Sequence, residues 1–163
     1  MKRGIISFLL GAILGTGFGV ALGFFAFPFV FPPPPAAETL SAADKSAAVK
    51  ATGSFVRHDP NDPIHWGKGS VEVREQSLFL KSDFEVGPGP KYHVYLVPKA
   101  PVRSSGDVSG EMFVDLGRLR AFKGSQRYDI PAGLDLKRFG SVVIWCEHFS
   151  VLIAPADLAH AGA

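Results

Sequence analysis

The sequence predicts an all-β fold, an antiparallel sandwich- or barrel-like domain preceded by a single N-terminal transmembrane helix. Two observations support this prediction. An apolar segment without charged residues runs from Gly4 to Phe31, and after Thr52 short apolar runs alternate with Gly, Pro, Asn, Asp and Ser. Short β-forming runs separated by turn residues at regular spacing are typical of sandwiches and barrels. Helical periodicity is hard to find in this second part of the chain.

The apolar segment is long enough to cross a membrane. A helix over residues 4–27 would measure about 36 Å, and the hydrocarbon core of a bilayer is about 30 Å thick. Secretory signals have a shorter apolar stretch and a small-x-small cleavage site, whereas this segment ends in several phenylalanines followed by Pro32–Pro35. We therefore expect an uncleaved anchor that contacts lipid through residues 4–27. Lys2 and Arg3 favour a cytoplasmic N-terminus, which predicts an extracytoplasmic domain, periplasmic or at the cell surface.

Small residues recur every four positions within the apolar segment. They are Ser7, Gly11, Gly15, Gly19 and Gly23. Such a ridge lets a second helix approach closely, as in GxxxG dimers, and predicts a homodimer through this face. The alternative is that glycine is simply frequent in transmembrane helices.

Composition divides the chain into three parts: an anchor over residues 1–31, a Pro/Ala-rich linker over residues 32–52 and a β domain over residues 53–163. Pro32–Pro35 predicts a stiff extended spacer. The following segment, Ala36–Lys50, is rich in alanine with mixed charges. We expect it to be a loose helix or a disordered stalk.

The β domain contains several candidate strands. They are Ser70–Arg74, Leu78–Leu80, Tyr92–Val97, Met112–Leu116, Ser141–Cys146 and Phe149–Ile153. The last two contain the longest apolar run and predict a central strand or a tight pair. Short helical turns are expected at Asp135–Phe139 and Pro155–Ala159.

Charge and cysteine content exclude several functional classes. The chain has 17 basic and 15 acidic residues, and two of the basic ones, Lys2 and Arg3, precede the apolar segment. The remainder is balanced and has no basic stripe, so nucleic acid is not an expected partner. The single cysteine, Cys146, excludes an internal disulfide and four-cysteine zinc sites. No nucleophile elbow or phosphate-binding loop is present, which disfavours hydrolases and transferases.

Cys146 is the residue with the most versatile chemistry. On an extended strand Cys146 and His148 would lie on one face. The thiol is either a redox group, a ligand to a metal or haem, or a buried residue that acts as a small hydrophobe. No pair of histidines has ligand spacing, so a ligand set would have to combine Cys146 with His65 or His93 from separate strands. Met112 is a weaker axial ligand, because it opens a predicted strand and is expected in the core.

Several short motifs follow one another in a specific order between Gly53 and Leu158. They are Gly53-Ser54-Phe55, His65-Trp66-Gly67-Lys68-Gly69, Leu78-Phe79-Leu80 with Asp83-Phe84, Gly89-Pro90-Lys91-Tyr92-His93-Val94-Tyr95-Leu96, Asp115-Leu116-Gly117 with Leu119, Gly124-Ser125-Gln126-Arg127-Tyr128-Asp129-Ile130-Pro131, Val142-Val143-Ile144-Trp145-Cys146 with Phe149, and Ala156-Asp157-Leu158. Their order and spacing resemble the DM-thirteen domain family. These electron-transfer DM domains are linked to DOMON-type domains in animal cell-surface proteins and also occur in membrane-anchored bacterial proteins.

The resemblance implies a redox function centred on one residue. The characteristic cysteine of the family corresponds to Cys146, as a bare thiol or as a ligand to a prosthetic group such as haem. We therefore expect a membrane-anchored electron-transfer module with a redox partner that the sequence does not identify. The alternative is a non-catalytic binding or structural sandwich in which Cys146 is buried and inert.

Overall fold

The computed structural model describes residues 2–162 of the chain, which divides after Pro32 into two compact units. The first unit consists of the helix α1 (Lys2–Val30), which contains Pro28 near its end. Its large apolar side chains are exposed. The helix is long and apolar enough to cross a membrane, a requirement that a signal sequence also satisfies.

The second unit, as described by residues 33–162, is built mainly from strands. They are β1 (Ala36–Ala37), β2 (Val49–Phe55), β3 (Gly67–Lys68), β4 (Ser70–Arg74), β5 (Ser77–Leu80), β6 (Glu85–Val86), β7 (Tyr92–Val97), β8 (Val114–Arg118), β9 (Gly124–Asp129), β10 (Ser141–Cys146) and β11 (Val151–His160). The helices are α2 (Ala42–Ser46), α3 (Gly106–Ser109) and a 3₁₀ turn (Leu136–Arg138).

Nine strands form one curled sheet in the order β1-β9-β5-β4-β2-β11-β10-β7-β8, and β3 pairs with β6. Neighbours in the large sheet are antiparallel except for β1 and β9, which are parallel. The prediction of a mostly β fold after an N-terminal apolar helix is therefore confirmed.

The strand β10 separates two apolar clusters, and all six of its residues are buried. Val142, Ile144 and Cys146 belong to the main core on one face of the sheet. Val143 and Trp145 pack with Tyr95 and neighbouring residues into a smaller cluster on the other face. This burial on both faces explains why β10 forms a nearly continuous apolar run instead of an alternating one.

The expected tight pair at the end of the chain is confirmed. The strands β10 and β11 form an antiparallel pair with Cys146 opposite Val151. The connecting turn contains Phe149 and ends at Ser150, which has a φ of 52°. The expected turn at Asp135–Phe139 is also present as the 3₁₀ helix.

Two local predictions are wrong. The segment Pro155–Ala159 is not helical, since it lies inside β11 and pairs with β10 and β2. Sheet pairing there overrides a local pattern that favoured a turn. The strand β8 begins at Val114, and Met112 precedes it with 80% of its surface exposed, so Met112 is not a core residue.

The segment expected to be a loose helix or stalk is instead part of the β domain. Ala36 pairs with Gly124 at the sheet edge, and the Glu38 carboxylate accepts hydrogen bonds from Arg120 at 2.6 and 2.8 Å. The segment before β2 thus belongs to the same compact unit as the rest of residues 33–162. An exposed edge strand leaves backbone groups unpaired, and β1 satisfies part of this edge.

Candidate functional site

Cys146 lies at the end of β10, opposite Tyr92 on β7. Only 1% of the residue is exposed. Its Sγ donates a hydrogen bond to the Pro90 carbonyl oxygen at 3.2 Å. The thiol is therefore a packed, hydrogen-bonded part of the main core, and it borders the loop that leads into β7.

The turn after Cys146 determines the electrostatics of the thiol. The strand ends at Cys146, so the expected alternation that placed the His148 side chain on the same face does not continue. Instead, the backbone N–H groups of Phe149 and His148 donate to the sulfur. Burial raises the pKa of the Cys146 thiol, and these two amides partly oppose that shift.

Tyr92 forms one wall of the thiol environment. The residue is 4% exposed, and its ring makes an edge contact with Phe122. Its phenol lies directly against Gly89, where an added Cβ would overlap the ring. Burial raises the pKa of the phenol, and the charges of Cys146 and Asp62 raise it further. Tyr92, Cys146 and the 87–90 loop therefore share one compact environment.

His65 is partly buried and pairs with Asp62 in the loop before β3. Its Nδ1 lies 2.6 Å from Asp62 Oδ2, and the hydrogen bond from the His65 backbone N–H contributes most to lowering the Asp62 pKa to about 2. The next residue, Trp66, packs against Gly87. His65 thus pairs with Asp62, whose charge also acts on the Tyr92 phenol.

His93 lies on the opposite face of the sheet from Cys146. It is opposite Trp145 in the β7–β10 pair, and its ring contacts Tyr95. Its Nδ1 is 2.9 Å from Asp115 Oδ2, and its Nε2 is 3.4 Å from Glu147 Oε2. The structure therefore does not unite Cys146, His65 and His93 in one ligand set.

The sequence alone did not indicate Asp115 and Glu147 as candidate site residues. They come from β8 and from the turn after β10, so their proximity to His93 depends on the strand order. Period-two alternation along β7 places His93 and Tyr95 on one face and Tyr92 on the other. This alternation is visible in the sequence, and it places His93 on the face of the sheet opposite Tyr92, which pairs with Cys146.

A haem bound through Cys146 does not fit this arrangement. A sulfur that ligates a haem iron must be accessible to the porphyrin. Cys146 is only 1% exposed, and its thiol donates a hydrogen bond to the Pro90 carbonyl oxygen. Among residues 2–162, the side chains close enough together to hold a metal ion are His93, Asp115 and Glu147, and Cys146 is not one of them. Met112, the other suggested axial ligand, is on the surface.

Comparison with known families gives a match over most of the β domain. The family model described as Electron transfer DM13 matches residues 60–158, a range that includes every candidate residue discussed above. No curated protein and no solved structure matches the chain.

Proposed function

Because the chain belongs to the Electron transfer DM13 family, we propose that it is a membrane-anchored electron-transfer domain in which Cys146 is the redox residue. The observation that carries the proposal is that the sulfur has partners in both protonation states. The thiol donates to Pro90, and the thiolate accepts from the amides of His148 and Phe149. The sulfur therefore keeps hydrogen-bond donors after loss of the proton.

The burial of Cys146 fits electron donation better than thiol exchange. Exchange requires a thiolate in contact with a second sulfur, which a residue exposed by 1% does not provide. Transfer of an electron does not require such contact. In the proposed step the thiol releases its proton to water, the resulting thiolate gives one electron to a one-electron oxidant supplied by the redox partner, and the sulfur becomes a thiyl radical.

The test measures the consumption of a one-electron oxidant, hexachloroiridate(IV), by the full-length protein in detergent micelles. We expect Cys146→Ser to lose one rapid oxidising equivalent relative to the unaltered protein. Serine keeps a hydroxyl that donates and accepts hydrogen bonds, so it isolates the redox chemistry from the packing. Matching thermal unfolding curves would show that both proteins are folded.

Equal consumption of oxidant by the two proteins would favour the second candidate function, a binding or structural module with an inert cysteine. One specific observation supports that candidate: burial raises the pKa of the thiol. A raised pKa reduces the thiolate fraction and therefore the reactivity of a cysteine.

We also propose that α1 anchors the domain, with residues 4–27 in the bilayer, the N-terminus in the cytoplasm and the β domain outside. The exposed apolar side chains along the helix and the basic residues Lys2 and Arg3 support this topology. Expressed in a bacterial inner membrane, the protein should resist carbonate extraction and retain its N-terminal residues by mass spectrometry. Protease added to spheroplasts should digest the β domain. A soluble protein cleaved near residue 36 would contradict the proposal.

Self-association of the anchor stays a prediction. A Cβ added at Gly11, Gly15, Gly19 or Gly23 would meet nothing within 4 Å in the chain itself. We propose that this ridge of small residues contacts a second copy of the helix, because glycine at this spacing lets two helices approach closely.

A further inference from the structure

His93, Asp115 and Glu147 form a cluster on the face of the sheet opposite Cys146. They come from β7, from β8 and from the turn after β10, which the sheet order places side by side. One ligand atom from each residue lies within 4.8 Å of the other two. The side chains are 14%, 37% and 26% exposed, respectively, so an ion from solvent has access to a partly enclosed site.

We propose that these three residues bind a divalent first-row transition-metal ion. One imidazole nitrogen and two carboxylates form a mixed donor set that suits Zn²⁺, Co²⁺ or Mn²⁺ and leaves coordination positions for water. The ligands come from three separate chain segments, in contrast to a run of acidic residues on one surface loop. This site is independent of the proposed role of Cys146.

Neighbouring groups hold the carboxylates in place. The Tyr95 hydroxyl donates to Glu147 Oε1 at 3.2 Å, and the Gly117 amide donates to Asp115 Oδ1 at 2.8 Å. Tyr95 is itself fixed by stacking on Phe113, with ring centroids 4.3 Å apart. Such outer contacts typically orient the ligands of a metal centre and tune its affinity.

Lys91 is the competitor for this site. Its Nζ lies 2.9 Å from Glu147 Oε2, and its side chain is 55% exposed. Its long, exposed side chain permits the ammonium to leave when a metal ion takes its place. A metal site therefore predicts tighter binding of the ion after removal of Lys91, whereas a network of ion pairs does not.

The experiment titrates chelator-treated full-length protein in detergent micelles with Zn²⁺ by calorimetry and with Co²⁺ by visible absorption. We expect one ion per chain. His93→Gln and Asp115→Asn remove ligands themselves, so each should weaken binding by at least the roughly tenfold that loss of an outer contact costs. Lys91→Met should tighten it severalfold, because the competing ammonium is gone. His148→Gln is the matched control, since it removes a second imidazole from the same turn as Glu147 and should leave the affinity unchanged.

Thermal unfolding with and without Zn²⁺ provides a second readout that requires only a folded protein. The ion should raise the midpoint of the unaltered protein and of the Lys91→Met variant, and should have no such effect on His93→Gln. Three results would overturn the proposal: no binding at millimolar Zn²⁺, equal binding by His93→Gln, or weaker binding after removal of Lys91. The last result would assign the cluster to a structural ion-pair network.

Discussion

Substituting Gly69 with alanine is expected to lower the free energy of unfolding by about 3 kcal/mol, from the combined cost of backbone strain and overpacking. Gly69 joins β3 to β4 with a φ of +101°, a conformation that an L side chain rarely adopts. A Cβ there would lie 2.5 Å from the Phe84 Cα and 2.6 Å from the Asp83 carbonyl oxygen. These are backbone atoms, so no side-chain rotation relieves the overlap.

The strain should affect the core because the Cβ would displace residues 83 and 84, whose side chains contact Phe55 and Ser70. The Phe84 side chain is 1% exposed and packs edge-on against Phe55, with ring centroids 5.2 Å apart. Asp83 holds the start of β4 through hydrogen bonds to the Ser70 amide and hydroxyl at 3.0 and 2.8 Å. Moving residues 83 and 84 would disturb both contacts.

Gly133→Ala is the matched control for this substitution. Gly133 has a φ of +83°, and a Cβ there meets nothing within 4 Å. It therefore reports the conformational strain alone, which costs about 1–2 kcal/mol for a left-handed residue. Urea unfolding of both variants separates the two contributions. If Gly69→Ala were as mild as Gly133→Ala, the close approach of residues 83–84 would not be rigid.

Local pattern was sufficient for most strands because the relevant information lies within a few residues. Alternation identified β4, and the β-branched and aromatic run identified β7. The wrong predictions arise where pairing with residues far along the chain determines the secondary structure. Pro155 lies in a strand because it pairs with Val143 on β10, and the next residue, Ala156, pairs with Phe55 on β2. The start of β8 is likewise determined by its pairing with β7, which places Val114 opposite Leu96.

The residues of the candidate site also fall into two groups, those that the sequence indicates and those whose proximity depends on strand pairing. Cys146 was identified from its chemistry and from the family resemblance, both of which are visible in the sequence. The cluster around His93 was not, because Asp115 and Glu147 approach it only through the strand order β10-β7-β8. The His148 prediction failed for a local reason: the strand ends at Cys146, and the chain turns back toward β11.

The largest error concerns the segment before β2, which was expected to be a loose helix or a stalk but packs against the sheet edge. Asp44 explains what holds this segment in place. Asp44 and Ser41 form a capping box at the start of α2, a motif present in the sequence. The decisive partner is Arg127 on β9, whose Nε lies 2.6 Å from Asp44 Oδ2. A partner 83 residues away along the chain cannot be identified from local composition, which described this region only as alanine-rich and mixed in charge.

Asp44→Asn is expected to lower the free energy of unfolding by about 3 kcal/mol at neutral pH, because it leaves a partly buried arginine without its main charged partner. The residue is 6% exposed, and the hydrogen bond from Arg127 holds the pKa of its carboxyl well below the usual range. A group with a depressed pKa in the folded state stabilises the protein fully above its unfolded pKa of about 4 and loses this contribution as the pH falls toward the folded value. The difference between the unaltered protein and the variant should therefore be constant above about pH 5 and shrink at lower pH.

Asp129→Asn is the control, because Asp129 also pairs with Arg127 at 2.6 Å but its side chain is 86% exposed. Exposed ion pairs contribute about 0–1 kcal/mol, so this variant should remain close to the unaltered protein in urea unfolding. The comparison tests whether burial, and not the presence of a counter-charge alone, attaches the segment before β2 to the sheet edge. Equal effects of the two substitutions, or parallel pH profiles for Asp44→Asn and the unaltered protein, would show that the β1–β9 pairing and the Glu38–Arg120 contact hold the segment without Asp44.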